Sequence, residues 1–141
     1  MNRLAVDFAD DERIALPPIR VLGDDARRLI SLAETAMERL PRVSHFLARE
    51  MERATVVASE AEMQGAIGMG SEVTYRDESS GAVRKVVLVF PHEADIGVGR
   101  ISILTPVGAA LIGLSTGQRI EFQTPDGQTK ELTVVAVCGY Q

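Results

Sequence analysis

Few side chains in this sequence stand where they could do chemistry, and the first candidate is His92-Glu93 with Asp95, one imidazole and two carboxylates within four positions after Pro91. A divalent cation accepts such donors, but the spacing matches no recognised ligand pattern, and acidic residues beside a loop histidine are common on surfaces. His45 reads as a first-turn helix residue, not as a ligand or base. Cys138, the single cysteine, ends an apolar strand and reads as a small buried hydrophobe with no histidine spaced to activate it. Gly65-Ala66-Ile67-Gly68-Met69-Gly70 has the glycines of a phosphate loop, yet lacks the Gly-Lys-Ser/Thr ending and a clear strand before it, so it reads as a flexible linker. These groups imply no metal, no cofactor and no catalysis.

A different kind of site is suggested by the stretch from Arg100 to Gln118. Ile101, Ile103 and Leu104 suit a mostly buried strand ending at Leu104. Thr105 has the side chain of an N-cap, and Pro106 at the first helical position costs no hydrogen bond. Val107, Ala110 and Leu111 then fall on one helical face, and Gly113 offers a left-handed stop. The pattern predicts a strand and a short helix joined by one exposed Thr-Pro corner, a shape that binds rather than reacts.

The elements that must position this corner follow from the rest of the chain. Hydrophobic content of 45% and charged content of 25% are ordinary for a globular domain. The net charge of −5 repels duplex nucleic acid, so direct sequence-specific nucleic-acid binding is not expected. Apolar runs such as Val86 to Phe90 are far shorter than the ~20 residues that cross a bilayer, and no signal-peptide pattern opens the chain. No membrane span and a cytoplasmic address are expected.

Four segments are predicted: an N-terminal arm over 1–17, a helical hairpin over 18–58, a linker over 59–70 and a globular domain over 71–141. The arm carries Asp7, Asp10, Asp11 and Glu12 and is closed by Pro17-Pro18. Ala26, Ile30, Ala33, Met37 and Leu40 recur at helix-seam spacing, with Asp24 as cap and Pro41 as stop, which predicts a first helix of ~17 residues, roughly 25 Å long. Ser44 then caps a second, shorter helix with Leu47, Met51 and Ala54 on its seam. Helices this short are marginal alone and should lean on each other and on the globular part. Thr55-Val56-Val57 is a candidate first strand, and Ser59 to Met63 is either a helical turn or the lead into the linker. Further strands are predicted over 72–76, 82–90, 99–104, 118–123 and 128–137, with hairpin turns at Glu78-Ser79-Ser80-Gly81 and Pro125-Asp126-Gly127.

Several of these pieces resemble one family. Gly70-Ser71-Glu72-Val73-Thr74-Tyr75, the Arg100 to Gln118 stretch and Thr124-Pro125-Asp126-Gly127-Gln128 resemble the C-terminal domain shared by the bacterial Gre-type transcript cleavage factors and the Rnk-type regulators of nucleoside diphosphate kinase. Val87-Leu88-Val89-Phe90-Pro91 is similar to the Rnk-type version of one strand. The resemblance covers about the C-terminal half of the chain and extends to the helical segment before it.

It implies an α+β fold, a short N-terminal antiparallel helical hairpin followed by an FKBP-like antiparallel sheet packed on a short helix. It also implies a partner, RNA polymerase, bound near its secondary channel through Leu104, Thr105 and Pro106. Cleavage factors of the family carry an acidic pair at the tip of a longer hairpin, where it helps hold a metal ion. The tip here has Glu38, Arg39, Pro41 and Arg42, and one carboxylate beside two guanidinium groups is a poor magnesium site. A non-catalytic regulator is therefore expected; the alternatives are an active cleavage factor and an interaction module for another protein. An FKBP-like fold also raises prolyl isomerisation, but with no Trp, four Phe and two Tyr, the residues Tyr75, Phe90 and Phe122 read as core or sheet positions.

Overall fold

The computed structural model describes residues 16–138, so the predicted arm lies outside the described residues except at its last two positions. The described chain opens with β1 (Arg20–Leu22), which runs parallel to β2 (Thr55–Val57), with Val21 opposite Val56. Between them the chain makes a helical hairpin, α1 (Gly23–Ala36) and α2 (Pro41–Arg53), so the two-stranded ribbon clamps both ends of the hairpin. The three residues of β1 are too few to show strand alternation, and no strand is predicted over them.

The hairpin differs from its prediction in detail. Its first helix has 14 residues and ends at Ala36. Asp24 is not a cap: together with Asp25 it lies in the first turn, where acidic groups complement the positive end of the helix dipole. The buried seam is Ala26, Leu29, Ala33 and Ala36, while Ile30 is 44% and Leu40 38% exposed. Starting the same helical spacing with a step of three instead of four rotates the stripe by one residue, and the early stop takes Met37 and Leu40 out of register. Ser44 does not cap α2, because Pro41, with its φ preset for helix, already occupies the first turn. Ser44 is instead fully buried one turn in, and its hydroxyl has no hydrogen-bond partner.

After β2, the Glu62 carboxylate accepts from the Ser59 amide and hydroxyl, closing a single 3-10 turn, Glu60–Met63. The glycine segment that follows is not a flexible linker. Ala66, Ile67, Gly68 and Met69 are buried, the Ile67 amide donates to the Leu114 carbonyl at 2.8 Å, and the Gly113 amide donates to the Ile67 carbonyl at 2.8 Å. Its glycines serve tight turning, with Gly65 and Gly70 at φ +84° and +89°.

Five strands form the main sheet: β3 (Glu72–Asp77), β4 (Val83–Val89), β5 (Arg100–Ser102), β6 (Arg119–Gln123) and β7 (Thr129–Cys138), in the order β5-β4-β3-β7-β6. The turns predicted between β3 and β4 and between β6 and β7 are present. The sheet is mixed and not wholly antiparallel, because residues 90–99 carry the chain back and lay β5 parallel to β4. β5 also stops at Ser102, two residues before the predicted end.

The short helix α3 (Pro106–Leu111) packs between α2 and β6, and Gly113 ends it at φ +81°. One apolar cluster joins Leu29, Leu47 and Met51 of the hairpin to Val73, Leu88 and Leu132 of the sheet and Leu111 of α3. The hairpin and the sheet thus share a core, which gives two marginal helices the packing they lack alone. The tightest point of this assembly is Gly108, where a Cβ would lie 2.2 Å from the Ser102 carbonyl oxygen. A Gly108→Ala substitution is expected to lower stability by about 2 kcal/mol through overpacking. Urea unfolding measures it, and an unchanged midpoint would contradict this close approach.

Candidate functional site

The Thr-Pro corner is built by three residues that terminate one element and start the next. The Ser102 hydroxyl oxygen accepts from the Leu104 amide at 2.9 Å, which turns the chain out of β5. The Thr105 hydroxyl donates to the Ser102 carbonyl at 2.7 Å and accepts from the Gly108 amide at 3.1 Å. Thr105 is therefore the N-cap predicted from its sequence position, with Pro106 at the first helical residue. Leu104 is buried, while Thr105 and Pro106 are half-exposed.

This corner is one wall of a groove of about 1130 Å³. The hairpin tip also lines it, with Arg39, Pro41, Arg42 and, further along α2, His45 and Arg49. Phe122 and Pro125 contribute from the β6–β7 hairpin. The two groups singled out in the sequence, corner and tip, are thus brought together on one face, except for Glu38, which is exposed and does not line the groove.

The tip is seated on the globular part. The Arg42 guanidinium donates to the carbonyls of Thr124 at 3.3 Å and Pro125 at 3.4 Å. Deeper in the groove, Glu50 is 2% exposed and both its oxygens accept from Arg53 at 2.8 Å. Arg53 also donates to the Pro17 carbonyl. Sequence reasoning missed Glu50, although a glutamate three residues before an arginine and inside the Leu47, Met51, Ala54 stripe is a usable signal for a buried pair.

The other sequence candidates have structural roles. Glu93 accepts from the Phe90 amide at 3.4 Å and Asp95 from the Gly97 amide at 3.1 Å, so these carboxylates each cap a turn. His92 stacks on Phe90, which packs against the core and has the Arg28 guanidinium 3.9 Å from its ring centroid. Tyr75 and Phe122 are buried. Cys138 is exposed, against expectation. A bulge places Val134 opposite Tyr75 and Ala136 opposite Thr74, and the extra residue reverses which positions of β7 face inward.

The turn that receives Arg42 has its own electrostatics. The Thr124 hydroxyl, and after it the Gln128 amide, hold the Asp126 carboxyl below the usual carboxylate range. A depressed folded value means that the carboxylate stabilises the turn above the unfolded pKa and ceases to do so as pH falls through the folded one.

A mixed five-stranded sheet packed on a short helix is the architecture of a Gre-type C-terminal domain, here preceded by a short helical hairpin. Residues 62–138 match the model of the GreA/GreB transcription elongation factor C-terminal domain, and residues 17–57 match that of the Rnk N-terminus. The chain belongs to the GreA/GreB transcription elongation factor family. It is 34% identical over 120 residues to the regulator of nucleoside diphosphate kinase from Escherichia coli K12, across 84% of this chain and 88% of that protein. Transcription elongation factor GreA from Chloroflexus aggregans is 32% identical over 114 residues, across 81% and 68%. Among solved structures, the transcription elongation factor GreA/GreB from Nitrosomonas europaea matches with a TM-score of 0.66 at 38% identity, over 86% of this chain and 98% of that one.

The turn chemistry gives a direct check. Thr124→Val is expected to raise the titration midpoint of Asp126 toward the ordinary value of about 3.9, read from its carboxyl carbon by NMR. A midpoint identical in both proteins would show that the hydroxyl is not what holds the carboxylate.

Proposed function

We propose that the protein is a non-catalytic transcription regulator that docks on RNA polymerase near its secondary channel, with Leu104, Thr105 and Pro106 as the contact loop. The observation that carries this reading is the corner itself. Its backbone is fixed by the Thr105 and Ser102 hydrogen bonds, so Thr105 and Pro106 are presented at half exposure without an ordering cost on binding.

The tip supports binding without cleavage. A magnesium ion is held by carboxylate oxygens, and the tip sets Glu38 beside Arg39 and Arg42, with Arg42 already bonded to the Thr124 and Pro125 carbonyls. A hairpin of this length fills a channel mouth and competes with longer factors there. The effect on nucleoside diphosphate kinase named in the relative from Escherichia coli then follows through transcription. Such a regulator works in the cytoplasm. No helix among the described residues is long and apolar enough to cross a membrane.

The test is co-purification of the full-length protein with RNA polymerase, repeated with the double substitution Thr105→Asp and Pro106→Asp. Aspartate still accepts from the Gly108 amide as an N-cap but cannot donate to the Ser102 carbonyl as the Thr105 hydroxyl does, so the variant's urea midpoint is measured beside its binding to separate a changed surface from a loosened corner. Binding by the wild type, at least about tenfold weaker binding by the variant (about 1.4 kcal/mol), and no transcript shortening in stalled complexes are expected. Absence of binding, equal binding by the variant, or rapid shortening would overturn the reading.

A further inference from the structure

The groove between the tip and the corner has an unbalanced charge. It is lined by Arg39, Arg42 and Arg49 with His45, in a protein whose net charge is −5. Among the described residues, no carboxylate pairs with any of these three arginines. Of the acidic residues that line it, Glu50 is committed to Arg53 and Glu121 is exposed on β6. The groove is therefore a cationic slot with an apolar floor of Phe46, Phe122 and Pro106.

The chain itself is delivered to this slot. Leu16 lines the groove and is 42% exposed. The next two carbonyls are tied down, Pro17 by Arg53 and Pro18 by the Gln118 side-chain amide at 3.2 Å. Upstream of Leu16 stand Glu12, Asp11, Asp10 and Asp7, which outnumber Arg3 and Arg13 and leave the arm net acidic, with Val6 and Phe8 alternating with Ala5, Asp7 and Ala9 and Leu4 beside Arg3. At up to ~3.5 Å per residue, Asp10 to Glu12 are all within about 20 Å of Leu16.

We propose that residues 1–15 occupy this groove as an intrachain cover, their carboxylates on Arg39, Arg42 and Arg49 and their apolar residues on its floor. The acidic sign, the tethering point and the alternating apolar residues each fit this occupant. Because Thr105 and Pro106 form one wall, the cover competes with whatever binds the corner. That consequence rests on the polymerase reading above; occupancy of the groove does not.

The full-length protein tests it. A nitroxide is placed at Ala9→Cys in a Cys138→Ser background, and broadening of amide signals is recorded on the same molecule. Selective broadening at Arg39, Arg42, Phe46 and Thr105 is expected. It is lost when Asp7, Asp10 and Asp11 become Asn and Glu12 becomes Gln, and it weakens as salt screens the charges. No broadening at these amides, or broadening that survives neutralisation, would overturn the proposal. So would broadening of an unlabelled copy in a mixed sample, since a second molecule would then be the occupant.

Affinity separates this from the preceding reading. The neutralised variant is expected to bind RNA polymerase about threefold or more tightly, because a covered corner lowers the competent fraction. Equal affinity would remove the competition. Groove broadening in a protein that does not bind polymerase would defeat the docking role alone, and binding without broadening would defeat the cover alone.

Discussion

One hydroxyl group organises the functional face. Thr105 donates to the carbonyl that ends β5 and accepts from the amide that begins α3. The helix can come this close only because residue 108 has no side chain, and the approach places Ala109, Ala110 and Leu111 in the core. Corner, helix and core are thus one mechanical unit. Any change that moves Ser102 from Gly108 also moves the wall of the groove.

The hairpin is part of that unit and not an appendage to it. Its seam residues share a cluster with the sheet, its ends are clamped by β1 and β2, and its tip is held by Arg42 on the β6–β7 turn. Buried Glu50 ties α2 to Arg53, and Arg53 reaches the Pro17 carbonyl where the described chain begins. Removing Arg53 would leave Glu50 buried without a counter-charge, a costly state in a low-dielectric setting. The arrangement gives the tip a fixed position relative to the corner, which suits a protein that fills a site by shape.

Much of the corner was legible in the sequence because its signals are local. A threonine before a proline, and a glycine at the far end of a short apolar run, each specify backbone geometry by their own chemistry, and Thr105, Pro106 and Gly113 took the places predicted for them. The features that escaped depend on distant partners. The segment around Ile67 looked like a linker because its glycines are local, while its hydrogen bonds to Gly113 and Leu114 are not. Cys138 was misplaced by a bulge that only strand pairing reveals, and the seam of α1 by a helix end set at Ala36. That the tip and the corner share one groove is likewise a result of packing: residues more than 60 positions apart, such as Arg42 and Thr105, line it together.

In the proposed role, the capped corner and the hairpin tip form a single docking face for RNA polymerase. Hydrogen–deuterium exchange of the full-length protein, with and without RNA polymerase, reads both segments at once. Added protection is expected at residues 104–108 together with residues 39–44. Protection confined to other parts of the sheet, with both of these segments exchanging as in the unbound protein, would contradict it.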